Sequence, residues 1–262
     1  MNWIKNLKNK QSKISSQSGQ DGVIESIFQN CPPFNKTPYY VEFGFNNTTG
    51  INANTTQLKN KGWEGLLLDG DNSNPSINLH SHFLSSQNIC EIFKKYNVPK
   101  NPEYISIDVD STDLWLFKSL VKEYKPMLFT VEYNCNFPIN EAITFIDDMD
   151  ASIRRAREGW ARMYGASLKA LNMVAQNSNY TLIAVVDKLD AFFLRNDLIG
   201  DLEVPLLEDF TNYVYPVSQN HSRQPNKELC NFFMDYEHFI QTNNIQESIE
   251  KANNSCIKYL IQ

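Results

Sequence analysis

The sequence predicts an α/β fold whose mostly parallel sheet closes with an antiparallel hairpin at its C-terminal edge, and three observations carry that expectation. Four short runs, Tyr39 to Phe43, Gly65 to Leu68, Tyr104 to Val109 and Met127 to Tyr133, are rich in apolar β-branched and aromatic residues. They are nearly continuous rather than alternating in apolar character, which is how strands buried on both faces read. Stretches with helical spacing separate them, and alternating strand and helix is the pattern of a doubly wound sheet. Lastly, Thr181 to Val186 and Ala191 to Arg195 are two strand-like runs joined by a few residues around Lys188, Leu189 and Asp190. So short a link admits only an antiparallel pair.

Each element follows from local signals. Helices are expected over Asn54 to Lys61, Ile89 to Tyr96 and Asp113 to Tyr124, the last preceded by Ser111 and Thr112 as candidate N-caps. Ile139 to Tyr164 reads as a charged helical stretch inserted after the Met127 strand, a lid carrying Arg154, Arg155, Arg157 and Arg162. Tyr164-Gly165-Ala166-Ser167 then reads as one helix ending and another beginning, with Ser167 near the cap, although Tyr164 and Ser167 also qualify as lining for an acceptor pocket. From about Gly200 a loop-rich extension punctuated by Pro205, Pro216 and Pro225 leads to a helix expected from Ile245 to Ile261. The 262 residues, 42% hydrophobic and 12% aromatic, bury a full core, which favours one domain over residues 1–262 with these additions.

Composition excludes several classes. A net charge of -6 lacks the concentrated Lys/Arg surface that neutralises phosphates, so no nucleic-acid partner is expected. The five cysteines, Cys31, Cys90, Cys135, Cys230 and Cys256, are scattered and never spaced as C-x-x-C, which speaks against a zinc site or a disulfide framework and for a reducing, cytoplasmic setting. The opening MNWIKNLKNKQSK is not followed by an apolar stretch, and no run approaches the roughly 18 apolar residues of a membrane span. A homo-oligomer is compatible with all of this.

Candidate site residues gather at the ends of the expected strands, where ligands bind in open α/β sheets. Glu42 and Gly44, in Val41-Glu42-Phe43-Gly44-Phe45-Asn46-Asn47, stand where a first strand turns into a first helix, so that Gly44 lets the backbone approach a ligand; a plain tight turn explains them equally well. Asn47 completes that turn. Asp69 ends the second strand 25 residues after Gly44, the position of an acid that accepts hydrogen bonds from ribose hydroxyls. Gln20 and Asp21 precede the first strand and are candidates to fold over a cofactor, or to form a simple N-terminal turn. Neither G-x-G-x-x-G nor a G-x-x-x-x-G-K-[ST] loop is present, which disfavours NAD and ATP.

Asp108 and Asp110 close the Tyr104 strand, and Glu132 and Asn134 close the Met127 strand. Alternation points each pair to one side. Oxygen ligands of this kind, Asp108, Glu132 and Asn134 in particular, suit a hard divalent cation such as Mg²⁺, which would lower the pKa of a substrate hydroxyl. The competing readings are helix capping, pairing with lysines, or direct orientation and deprotonation of an acceptor by Asp108 or Asp110. His80, His82, His221 and His238 offer general bases, with His80 and His82 read as ordinary surface residues.

With these residues in order, the chain resembles the FkbM-like class I methyltransferases from about Ser18 to Asp197. The resemblance rests on Gly19-Gln20-Asp21-Gly22, Tyr40-Val41-Glu42-Phe43-Gly44, Lys61-Gly62-Trp63-Glu64-Gly65-Leu66-Leu67, Ser106-Ile107-Asp108-Val109-Asp110, Val131-Glu132-Tyr133-Asn134, Tyr164-Gly165-Ala166-Ser167 and Ala191-Phe192-Phe193-Leu194-Arg195. It implies the Rossmann-like class I methyltransferase fold, whose sheet ends in an antiparallel hairpin where dinucleotide-binding domains continue parallel. It also implies S-adenosylmethionine bound by Glu42, Gly44 and Asp69, and methyl transfer to an oxygen, often on a sugar or a surface-glycan precursor. One departure is Phe45-Asn46-Asn47-Thr48-Thr49, where the family often has a glycine or an acid. The inserted arginines would suit a diphosphate on a nucleotide-linked sugar, or simply a solvated face. The alternative is a non-catalytic module that keeps the fold and binds a glycan or a partner.

Overall fold

The computed structural model describes residues 2–45, 49–148, 165–215 and 231–257. Its main sheet contains β1 (Tyr39–Phe43), β2 (Glu64–Asp69), β3 (Leu79–Ser81), β4 (Tyr104–Ile107), β5 (Leu128–Glu132), β7 (Tyr180–Val186) and β8 (Asp190–Arg195). The order is β3-β2-β1-β4-β5-β8-β7, parallel throughout except that β8 runs antiparallel between β5 and β7. This is the expected Rossmann-like α/β arrangement, hairpin included. At the hairpin corner Asp187 and Lys188 both take left-handed conformations, φ 51 and 58, and Leu189 N–H donates to the Val186 carbonyl at 3.0 Å.

Period-two alternation sorts each strand between two cores. On one face Val41, Phe43, Ile105, Ile107, Phe129 and Val131 pack against α3 (Ile89–Lys95), α4 (Asp113–Glu123) and α5 (Leu168–Gln176). On the other, Tyr40, Leu67, Tyr104, Leu128, Phe192 and Leu194 pack with α1 (Gln20–Asn30), α2 (Thr56–Asn60) and a short 3-10 turn, Ile4–Asn9. Continuing the alternation, Glu42, Asp69, Ser106, Glu132 and Asp190 belong to the α1 side. The polar chemistry of five strands is thereby gathered on one face at one end of the sheet.

Several expectations need correction. The described part of the stretch read as helical from 139 to 164 contains a strand, β6 (Ile143–Phe145), paired antiparallel with β9 (Phe233–Asp235) in a second, two-stranded sheet. Three residues are too few for periodicity to separate strand from helix, and β9 is some 90 residues further on. The remainder of that stretch, with Tyr164 and all four arginines, lies outside the described residues, as does His221. In the described part of the tail, α6 (Tyr236–Thr242) follows β9, and α7 (Ile245–Ala252) gives way at Asn253 to a π-helical turn broken at Ser255; Pro216, Pro225 and the rest of the helix expected to reach Ile261 lie outside the described residues. Ser167 does cap α5, its Oγ accepting from Ala170 N–H at 3.1 Å, which assigns it a structural role. Among the described residues no helix is long and apolar enough to cross a membrane.

Candidate active site

Gly44 closes the first strand with φ 71, and a Cβ there would fall 2.0 Å from the Asp108 carbonyl oxygen. Its glycine is required because the β1 turn lies directly on the end of β4. Glu42, one residue from the end of β1, is 5% exposed and spends both carboxylate oxygens on the chain itself: Oε1 accepts from Asn54 N–H at 2.7 Å, and Oε2 from Thr55 N–H at 3.1 Å and from the Thr55 hydroxyl. Burial pushes its pKa up to about 7 in spite of these donors, with Asp190 adding a smaller repulsion.

Asn54 carries the network onward, its Nδ2 donating to Ser106 Oγ at 3.1 Å and to Asp190 Oδ2 at 3.4 Å. Asp190 also accepts from Gln20 Nε2 at 2.7 Å, and burial raises its pKa to about 6. Asp21 takes the N–H groups of Ile14, Ser15 and Ser16 and both serine hydroxyls, at 2.7–3.0 Å. Burial alone would raise Asp21; the donors from Ser16, Ile14 and Ser15 outweigh it and hold the carboxyl below its ordinary value. Gln20 and Asp21 therefore tie the 14–18 segment down beside the crevice, whose other lip, at Asn52, bridges to Ser16.

Asp69 sits at the tip of β2, where Oδ1 accepts from the Asp71 and Asn72 N–H groups and from Asn72 Nδ2, at 2.9, 2.7 and 2.9 Å. Asn47 lies outside the described residues.

Next to this satisfied network stands an unbalanced one. Carboxylate oxygens of Asp108, Asp110 and Glu132 all lie within 4.8 Å of one another. Glu132 faces Asp190 across the β5–β8 ladder. Loss of solvent, and then the repulsion of Asp113, Asp110 and Asp190, drives Asp108 well above the usual carboxylate range; loss of solvent and then Asp108 do the same to Glu132. Without a cation such a pair lowers its energy by sharing a proton.

Strand alternation is not what brings Asp110 here, because β4 ends at Ile107. Asp110 takes a left-handed conformation, φ 62, while the buried Asp113 accepts the flanking Val109 and Ser111 N–H groups at 2.8 and 3.0 Å. Asn134 lines the same cleft of about 420 Å³ as Asp110 and Glu132, but its Oδ1 accepts from Asn136 N–H and Nδ2, both at 2.9 Å.

Asp190, Asn54 and Ser106 are the contributors that sequence reasoning did not single out for the site, whereas Asp113 is the further carboxylate that follows Asp108 and Asp110 in the sequence. An acid at the first position of an otherwise apolar run, Asp190-Ala191-Phe192-Phe193-Leu194, was the available signal. His80 and His82 lie away from the crevice, at the β3 edge: His80 stacks on Tyr96 and His82 Nε2 meets its hydroxyl at 2.8 Å. A scan of protein-family models and a search of curated proteins find no match to this chain.

Proposed function

We propose that this chain is an S-adenosylmethionine-dependent O-methyltransferase of the FkbM-like kind, acting on a sugar hydroxyl of a nucleotide-sugar or surface-polysaccharide precursor. The observation that carries the reading is the convergence of Asp108, Asp110 and Glu132 at the carboxyl ends of β4 and β5, with Gly44 pressed against Asp108 at the end of β1 and Asp69 at the tip of the next strand, β2. Three hard oxygen donors with acids as their main electrostatic neighbours suit a divalent cation such as Mg²⁺. Asp69, at the tip of β2, suits ribose hydroxyls.

When bound, S-adenosylmethionine would supply an electrophilic methyl group, and a cation held by Asp108, Asp110 and Glu132 would supply positive charge. The chain's own residues do the rest. Glu42, Asn54 and Gln20 fix the crevice wall through hydrogen bonds already made, so ordering them costs nothing when substrate arrives. Glu132 or Asp108 receives the acceptor proton, since loss of solvent and mutual repulsion raise both carboxyls above the ordinary range and make them stronger bases. Gly44 keeps the cofactor strand pressed on the β4 tip, which sets the distance between the two halves of the site.

The test is calorimetric binding of S-adenosylmethionine and S-adenosylhomocysteine, with and without Mg²⁺, using Asp69→Ala as control. Micromolar binding that disappears in Asp69→Ala is expected; no binding under either condition overturns the enzyme reading. Asp108→Asn is expected to keep cofactor binding and lose transfer.

A further inference from the structure

The 420 Å³ cleft is lined by charges of both signs. Asp110 and Glu132 share it with Lys188, at the corner of the β7–β8 hairpin, and with Asn134 and Gln17. The strand pairing brings them together. Glu132 lies opposite Asp190 and Tyr133 N–H donates to the Leu189 carbonyl, so Lys188 comes level with the residue beyond, Asn134.

Lys188 is held in place rather than waving in solvent. Its backbone is fixed by the two left-handed corner residues, and its neighbour Asp187 accepts from the Ser18 hydroxyl at 2.6 Å. Its ammonium stands 4.1 Å from the centre of the Tyr215 ring, a distance at which the ring quadrupole attracts a cation. Tyr215 is itself anchored, its N–H donating to the Cys135 carbonyl at 2.8 Å. Lys188 makes no ion pair among the described residues. A half-buried lysine fixed on an aromatic face, with no carboxylate paired to it among the described residues, has its charge available to whatever enters the cleft.

We infer that Lys188 is a specificity-determining residue, reading an anionic group carried by the acceptor while the acceptor's hydroxyl lies toward Asp110 and Glu132. The acceptor class is thus a hydroxylated anion, a sugar bearing a phosphate or a carboxylate, rather than a neutral sugar. This rests on the cleft being the acceptor site of the proposed reaction.

The experiment compares equilibrium binding of glucose, glucuronate and glucose 6-phosphate by calorimetry in the presence of Mg²⁺, for the unmodified chain, Lys188→Met and Lys188→Arg. Methionine preserves length and tolerates the left-handed backbone as well as lysine does, and an unchanged melting temperature checks the fold. The unmodified chain is expected to bind at least one of the two anions about tenfold more tightly than glucose, the scale of one hydrogen bond to a charged group. Lys188→Met should erase that preference and Lys188→Arg should keep it; which anion is favoured tells carboxylate from phosphate. Equal binding of all three, a preference that survives in Lys188→Met, or no measurable anion binding overturns the inference. The readout needs no methyl transfer, so failure of the methyltransferase reading shows separately, as absent S-adenosylmethionine binding in the same preparations.

Discussion

Two groups of acids share one end of the sheet, one buried and one part-exposed, and they differ in what surrounds them. Around Glu42 and Asp190, groups from Gln20, Asn54 and Thr55 donate five hydrogen bonds, three to Glu42 and two to Asp190. Around Asp108, Asp110 and Glu132 the nearest charges are the acids themselves. The first arrangement is a scaffold, stable as it stands. The second is held together by the fold against its own repulsion, and that repulsion is relieved by a proton or a cation. Residue type alone does not distinguish them; the neighbours do, amides and hydroxyls for Glu42 and Asp190, and other carboxylates for Asp108 and Glu132.

Substitution should separate the two groups by sign. The largest effect is expected where they touch: Gly44→Ala drives a Cβ into the Asp108 carbonyl at a left-handed position and should cost about 3 kcal/mol, the upper end of ordinary single-site effects, in urea unfolding. Glu42→Gln puts an amide against the Thr55 donors and should cost about 2 kcal/mol. Asp108→Asn, in the repelling group, should raise stability by about 1 kcal/mol while abolishing transfer, since strained sites exchange stability for function. Mg²⁺ at about a hundred times its dissociation constant should stabilise the unmodified chain by about 2.7 kcal/mol and leave Asp108→Asn unmoved. If both acid-to-amide changes shift stability in the same direction, the contrast between the two groups fails.

The pH dependence follows from the same pKa shifts. Glu42, at about 7, and Asp190, at about 6, are both raised by folding, so the stability they contribute is complete below their unfolded values near 4 and is lost as pH rises through 6 and 7. Asp21 is lowered, so its contribution is present above its ordinary value and is lost in acid. With cations chelated, the melting temperature should therefore fall between pH 5 and 7.5, by roughly 2–4 °C for each kcal/mol lost. The smallest effect is the surface control. The exposed Lys5–Glu203 pair, at 2.6 Å, should be worth less than about 1 kcal/mol and should be insensitive to Mg²⁺.

The sheet was legible because buried parallel strands carry continuous apolar runs and because a short link forces a hairpin. β3 and the β6–β9 pair were not, since three residues hold no periodicity and a partner some 90 residues away leaves no local trace. Within the site, Asp108, Glu132 and Asp69 were legible as acids ending strands. Asp110 lies beside Asp108 and Glu132, but a left-handed turn braced by Asp113, rather than strand alternation, brings it there. Glu42 had the right neighbourhood, but only side-chain geometry reveals that its oxygens are already engaged. Asn54 was invisible, because an asparagine ahead of a helix announces a turn and says nothing of a crevice wall.

The Gln20–Asp190 hydrogen bond joins residues 170 positions apart. On the ribosome α1 emerges before β8, and its buried amide has to wait for a further 170 residues of synthesis before its acceptor exists. At 5–20 residues per second that interval is roughly ten to thirty seconds. Through that time the crevice wall is incomplete while β1, β2, β4 and β5 are already available to pair. Completion of the site is thus a late, non-local event in the life of each molecule, of the sort that slows folding, and a nascent chain stopped short of β8 would carry the acids of the crevice without the clamp that orders them.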